Sequence, residues 1–135
     1  MDWRLPALNT TESPNASFSF ACRIATLAES KKSDNTAILD VSQISGFADF
    51  FVFATGHSST QIRAISGAIA EGLKREGVVA LHTEEDLSGQ WHVLDYGDVV
   101  VHIMQESARQ QYDLESYWSH GIPKDGWQQR HRQSA

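Results

Sequence analysis

The sequence predicts an α/β domain, a mixed sheet packed by about three helices, and three observations carry that expectation. Two stretches repeat apolar residues at helical spacing, one around Ile24 and one around Ile65. Two others, "DFFVFATG" and "VVVHIM", are apolar runs of strand length. Finally, Asp95-Tyr96-Gly97-Asp98 joins two β-forming runs closely enough for a hairpin. A hairpin joins antiparallel strands and a strand-helix-strand unit joins parallel ones, so the sheet has to be mixed.

Taken in order, residues 1–15 are polar and broken by Pro6 and Pro14, which reads as an N-terminal arm. From Ala16 to Lys32, Phe20, Ile24, Leu27 and Ala28 mark one helix face, with Lys31 and Lys32 near the end where the helix dipole favours cations. "TAILDVS", Thr36 to Ser42, reads as a short strand, and Asp49 to Gly56 as a longer one buried on both sides. A second helix spans Ser59 to Glu76. Ser58 is its N-cap, Gln61 completes a capping box, and Ile62, Ile65, Ile69 and Leu73 form one stripe. Lys74 and Arg75 suit its last turn, and Gly77 provides a left-handed stop.

"VVALHT", Val78 to Thr83, reads as a strand and Glu84 to Gln90 as an acidic loop. Trp91 to Leu94 and Val99 to Met104 make the hairpin, with Gly97 placed for a positive φ. The turn length leaves open whether His102 faces Trp91 or sits one place off. Glu106 to Ser119 reads as a last helix, with Leu114 and Trp118 one turn apart. The expected organisation is therefore an arm over residues 1–15, one domain over 16–119 and a tail over 120–135. At 135 residues and 41% hydrophobic content, one core is what the chain can fill.

Charge narrows the function. The net charge is −6, and the stretch from Glu84 to Glu115 holds eight acids against Arg109 alone, giving −7. Such a region repels a phosphate backbone, so direct nucleic-acid binding is not expected as the main contact, whereas a basic protein partner is favoured. The single cysteine, Cys22, leaves no intrachain disulfide. No apolar run approaches the roughly 20 residues that cross a bilayer, and the first fifteen residues resemble neither a signal nor a transit peptide. A cytoplasmic setting without membrane contact is expected.

"ATGHSS", Ala54 to Ser59, runs from a strand through Gly56 into a helix N-terminus, where backbone N–H groups can hold phosphate. Nucleotidyl transfer also requires paired carboxylates on a strand to hold metal ions, and no Asp-x-Asp or Asp-x-Glu lies on any predicted strand. His82, His92 and His102 lack the spacing of a metal set, and no Gly-x-Ser-x-Gly elbow accompanies them. No catalytic residue, metal or cofactor is expected. Trp91, Tyr96, Tyr112 and Trp118 lie in the acidic third, and Trp and Tyr are frequent interface anchors.

Together, "DFFVFATGHSSTQIRAI", a Trp followed by "LDYGDVVVHIMQE", and "YDLESYW" resemble the ribosomal silencing factor family, RsfS or Iojap. The resemblance runs from the first helix to Trp118. It implies a nucleotidyltransferase-like fold without the catalytic carboxylates. It also implies a non-enzymatic factor that binds protein fourteen of the large ribosomal subunit, blocks joining of the small subunit and represses translation under nutrient limitation. Members are often dimeric when free.

Carried over by position, Trp91 is the expected anchor, with Asp95, Tyr96, Asp98 and Glu106 as further partner-binding candidates. Asp49, Thr55, Gly56, Ser58, Ser59, Gly97, His102, Tyr112 and Trp118 match motif positions taken as structural. Glu84-Glu85 stands where members commonly show Glu-Gly, and Phe50 where Tyr is common; Glu85 in a loop could not take the positive φ that Gly permits. The second reading is a degenerate nucleotidyltransferase-like protein that binds a nucleotide or anion through Ser58, Ser59 and the helix N-terminus.

Overall fold

The chain's structure, a computed structural model, describes residues 14–42, 46, 48–112 and 121–122. Its centre is β2 (Phe50–Gly56), all seven residues of which are buried, as expected of an apolar strand covered on both faces. β5 (Val99–Gln105) runs parallel to it on one side, and β1 (Asp34–Asp40) runs antiparallel on the other. β4 (Trp91–Asp95) pairs antiparallel with β5, and β3 (His82–Glu85) closes that end antiparallel to β4. Gly121–Ile122, in the stretch expected to be tail, form β6 against β1. The order is β3-β4-β5-β2-β1-β6, a mixed sheet in which the β4–β5 hairpin is inserted between β2 and β3.

Two helices cover one face. α1 (Pro14–Glu29) buries Ala21, Ile24, Ala25 and Ala28, and α2 (Ser59–Arg75) buries Ile62, Ile65, Ile69 and Leu73. They pack on Ile38, Val52, Ala54, Leu94, Val101 and Ile103 from alternate positions of the strands. The opposite face carries Leu39, Phe51, Phe53, Val100 and Met104, with Trp91 and Val93 packed beside them and Ala108 of α3 (Glu106–Tyr112) at the end. Among the described residues, no helix is long and apolar enough to cross a membrane.

α1 ends three residues sooner than its basic pair suggests. Ser33 N–H returns to Ala28 O and Lys32 N–H to Glu29 O, with Lys32 at a φ of 64°, which is a Schellman stop without glycine. α2 ends in the same motif, Val78 N–H on Leu73 O and Gly77 N–H on Lys74 O. That cap explains why the expected strand at Val78 to Thr83 is displaced. Val78 is buried as the apolar residue that closes the cap, Ala80 packs on the helix-side core, and the ladder runs from His82, with Leu81 N–H already on Asp95 O. The acidic loop expected from Glu84 accordingly starts at Asp86, and Glu84 and Glu85 are strand residues, so Glu85 never needs a positive φ. Leu114 and Trp118, in the distal part of the expected last helix, lie outside the described residues.

Candidate docking surface

The hairpin register settles the geometry at Trp91. Trp91 pairs with Met104 and Val93 with His102, so Trp91 and His102 are diagonal neighbours on the face away from α1 and α2. The Trp91 indole N–H donates to His102 Nδ1 at 3.2 Å. That bond makes Nδ1 an acceptor and puts the imidazole proton on Nε2. The His102 ring stacks on Phe53 with centroids 5.2 Å apart and planes 18° apart, and meets Phe51 edge-on at 5.2 Å. Burial among these rings pushes its pKa down to about 4, so His102 is a neutral prop beneath Trp91.

Asp86 fixes Trp91 from the other side. Its Oδ1 accepts the backbone N–H of Gln90 at 2.8 Å and of Trp91 at 3.0 Å, and its Oδ2 accepts the Ser88 hydroxyl at 2.6 Å. The Ser88 hydroxyl first, then these backbone donors, hold the Asp86 carboxyl below its ordinary range. Gly89 of the same turn packs against α2, where an added Cβ would lie 3.3 Å from Ser59 Cβ. The β3–β4 turn is thereby braced against the helix start, and Trp91 leaves it in a set direction.

Trp91 and Val93 form the floor of an open groove of about 510 Å³ whose rim is Glu84, Glu85 and Asp86. No Lys or Arg occurs from Glu84 to Glu106. An apolar floor inside a one-sign rim suits a basic, partly apolar protein surface, because the acids attract it and the Trp supplies buried area once water is excluded. His92, on the opposite face of β4, is buried, with Nε2 3.4 Å from Glu85 Oε2. His82 is exposed beside Glu84. No group of three metal-ligating side chains is assembled among the described residues.

The other expected partner residues separate from Trp91. Asp95 lies four residues along β4, about 13 Å away, and its Oδ1 accepts Gly97 N–H at 2.8 Å. Gly97, at a φ of 91°, takes the first central position of the turn, and Tyr96 N–H closes it on Val99 O. Asp98 O accepts the N–H of both Asp49 and Phe50 at the same end. Glu106 begins α3, with Oε1 3.7 Å from His57 Nδ1.

Tyr96 requires a correction. Only 1% exposed, it lies on the helix side in edge-to-face contact with Phe20, and burial pushes its hydroxyl up to about 12. Its ring is core, and a partner has no access to it. What the residue-by-residue reading missed is the acid triplet Glu84-Glu85-Asp86. Its signal was present in the charge count, but the apolar weight of "VVALHT" drew the strand too far upstream.

The motif residues at the α2 start do structural work. Ser17 Oγ donates to Asp49 Oδ2 at 3.0 Å, tying α1 to the start of β2. Thr55 is buried, with Oγ1 accepting from Arg109 Nη1 at 2.6 Å, while the Arg109 guanidinium lies 5.7 Å over Phe53. Gly56 leaves room for Ile62, whose backbone N would be 3.3 Å from a Cβ there. Ser58 Oγ accepts Gln61 N–H at 3.1 Å, and Gln61 Oε1 reaches back to His57 N–H at 2.8 Å, one residue beyond the usual box. His57 is flanked by Asp34 Oδ2 at 2.6 Å and by Glu106, so carboxylates border the helix start where an anion would sit. Tyr112 closes α3, and Trp118 lies outside the described residues.

Comparisons with known proteins bear on the fold and the family. The profile of the family described as "Ribosomal silencing factor during starvation" matches residues 14–135. The chain is similar to a ribosomal silencing factor RsfS of Chromobacterium violaceum, 38% identical over 80 residues, which is 59% of this chain and 66% of the relative. It is also similar to an Iojap-related mitochondrial protein of Arabidopsis thaliana, 33% identical over 126 residues, covering 86% of this chain and 68% of the relative. Among solved structures, a Chromobacterium violaceum protein superposes with a TM-score of 0.71 at 32% identity, covering 76% of this chain and 86% of that one. A Bacillus halodurans protein gives 0.64 at 30%, covering 72% and 91%. The chain belongs to the RsfS family of ribosomal silencing factors.

Proposed function

We propose that this chain represses translation by docking its Trp91 groove on the large ribosomal subunit, through that subunit's protein fourteen, where it keeps the small subunit from joining. The role is steric and needs no catalytic residue or cofactor. Nutrient limitation is the condition under which it acts, consistent with the description of its family. The observation that carries the reading is the joining of Trp91 to Glu84, Glu85 and Asp86 in one groove, within a third of the chain that holds −7 of charge. The cytoplasm is the expected setting in a bacterium; relatives named for mitochondria and chloroplasts place the corresponding proteins in organelles.

The test is gradient sedimentation of purified subunits with and without the protein. Migration with the large subunit and loss of joined ribosomes is the expected outcome. A protein that stays at the top of the gradient while the subunits join normally would refute the reading.

A further inference from the structure

β3 is the end strand of the sheet, and all four of its residues are exposed. One side of its backbone pairs with β4. Asp86 N–H donates to Trp91 O at 3.0 Å, which sets the phase of the ladder, with the backbone of residue 86 turned toward β4. Antiparallel alternation then turns the backbone groups of Glu84 and His82 toward β4 and those of Thr83 and Glu85 outward. Among the described residues no strand pairs with that outer side.

Proteins blunt such edges with short strands and charges, and β3 has both. Its charges are selective, however. A second copy pairing antiparallel about Glu84 would set Glu84 against its own counterpart and add four Glu carboxylates to one short ladder, and like charges placed opposite each other destabilise it. A strand bearing Lys or Arg meets the reverse field. Apolar contact is available as well, since Val79 is 65% exposed and Leu81 54% exposed just before β3, and Leu87 is fully exposed just after it. The Trp91 groove opens on the same edge, lined by Glu84, Glu85 and Asp86.

We infer that the β3 edge accepts an extended basic segment of the partner as an added strand, with the outward N–H and C=O groups of Thr83 and Glu85 completing the ladder. Alternate side chains of that strand reach the acidic rim and the Trp91 floor on one face. The inference rests on the ribosome-binding reading and states the form that binding takes.

Two measurements with purified large ribosomal subunits test it. Thr83→Pro removes an outward donor and leaves the ladder to β4 intact, since the lost N–H is not one that β4 uses. Thr83→Val keeps the backbone and serves as control. The expected result is co-sedimentation of the unmodified protein and of Thr83→Val, and a loss of about tenfold or more for folded Thr83→Pro. Hydrogen exchange on the unmodified protein, which does not depend on the proline variant folding, should show the Thr83 and Glu85 amides slowing only in the complex.

If the unmodified protein binds but these amides exchange as fast as in the free protein, strand addition is refuted and ribosome binding stands. If the unmodified protein does not bind at all, the functional reading fails and this inference with it. Amides already protected in the free protein, in a form whose mass is doubled, would assign the edge to a second copy and overturn the inference.

Discussion

Trp91→Ala is the most informative substitution, because its effects on fold and on binding differ in size and can be measured separately. A fully buried Trp lost to Ala costs about 3–5 kcal/mol, and Trp91 is half-buried, so about half of that is expected. His102 Nδ1 also loses its donor beneath the groove, adding about 1 kcal/mol. For a chain of this length the melting midpoint should fall by roughly 6–12 °C, leaving the variant folded at room temperature. Binding to large subunits should fall by about 2 kcal/mol or more, close to thirtyfold, as for a central interface aromatic. Trp91→Phe keeps much of the ring area but has no N–H, so it should recover part of the binding and none of the hydrogen bond. Co-sedimentation across a range of subunit concentrations, with circular dichroism to confirm folding, reads both effects. A folded Trp91→Ala that binds within about twofold of the unmodified protein would remove Trp91 from the surface and refute the reasoning.

Other outcomes follow from the same geometry. Replacing Glu84 and Glu85 together by Lys should slow association with the large subunit by about tenfold at low salt, with the difference narrowing as salt screens the rim; equal rates at low salt would show that the rim does not steer. Tyr96→Ala should destabilise the fold by about 3–5 kcal/mol in chemical denaturation while the folded fraction binds normally, as expected of a core ring. In the unmodified protein the phenol should titrate near pH 12 by absorbance. Because the unfolded phenol ionises near 10, stability should fall as pH rises between those values. His102 has the opposite sign: the unfolded imidazole takes a proton below about 6.5 and the folded one only near 4, so stability should fall as pH drops through that window, by roughly 1 kcal/mol per pH unit. His102→Gln should flatten that slope in thermal melts at pH 7 and pH 5.

Elements whose residues are apolar on the buried side were legible in the sequence. β2, α2 and the β4–β5 hairpin lie within a residue or two of their expected bounds, because burial imposes period 3.6 on α2, period 2 on β4 and near-continuous apolar runs on β2 and β5. β3 was not legible for the converse reason. An exposed edge strand of sequence His-Thr-Glu-Glu buries nothing, so it leaves no hydrophobic pattern, and its pairing is decided by the backbone ladder alone. The apolar residues just upstream made the error systematic, since Val78 is buried by a helix cap and not by a strand. Tyr96 shows the same limit from the other side. Its neighbours are acidic turn residues, and only the direction of its side chain, toward Phe20 on α1, makes it core.

The two ends of the β4–β5 hairpin have separate tasks, and the motif that makes the family recognisable describes mainly one of them. Asp95 receives Gly97 N–H, Asp98 O receives the N–H groups of Asp49 and Phe50, and His102 props the indole of Trp91. These residues build and orient the hairpin. The acids beside Trp91 lie before the motif, on β3 and its turn, and are joined to it by the β3–β4 ladder and by Asp86, which accepts the Trp91 N–H. A charge change at Glu84 therefore alters the field a partner meets without touching a fold-determining contact of the hairpin, whereas one at Glu85 also removes the carboxylate beside the buried His92, and one at Asp86 alters the field and releases Trp91 together. On the proposed docking reading, the strength of docking is therefore adjustable on β3 at Glu84, while the position of Trp91 is held jointly by Asp86 and His102.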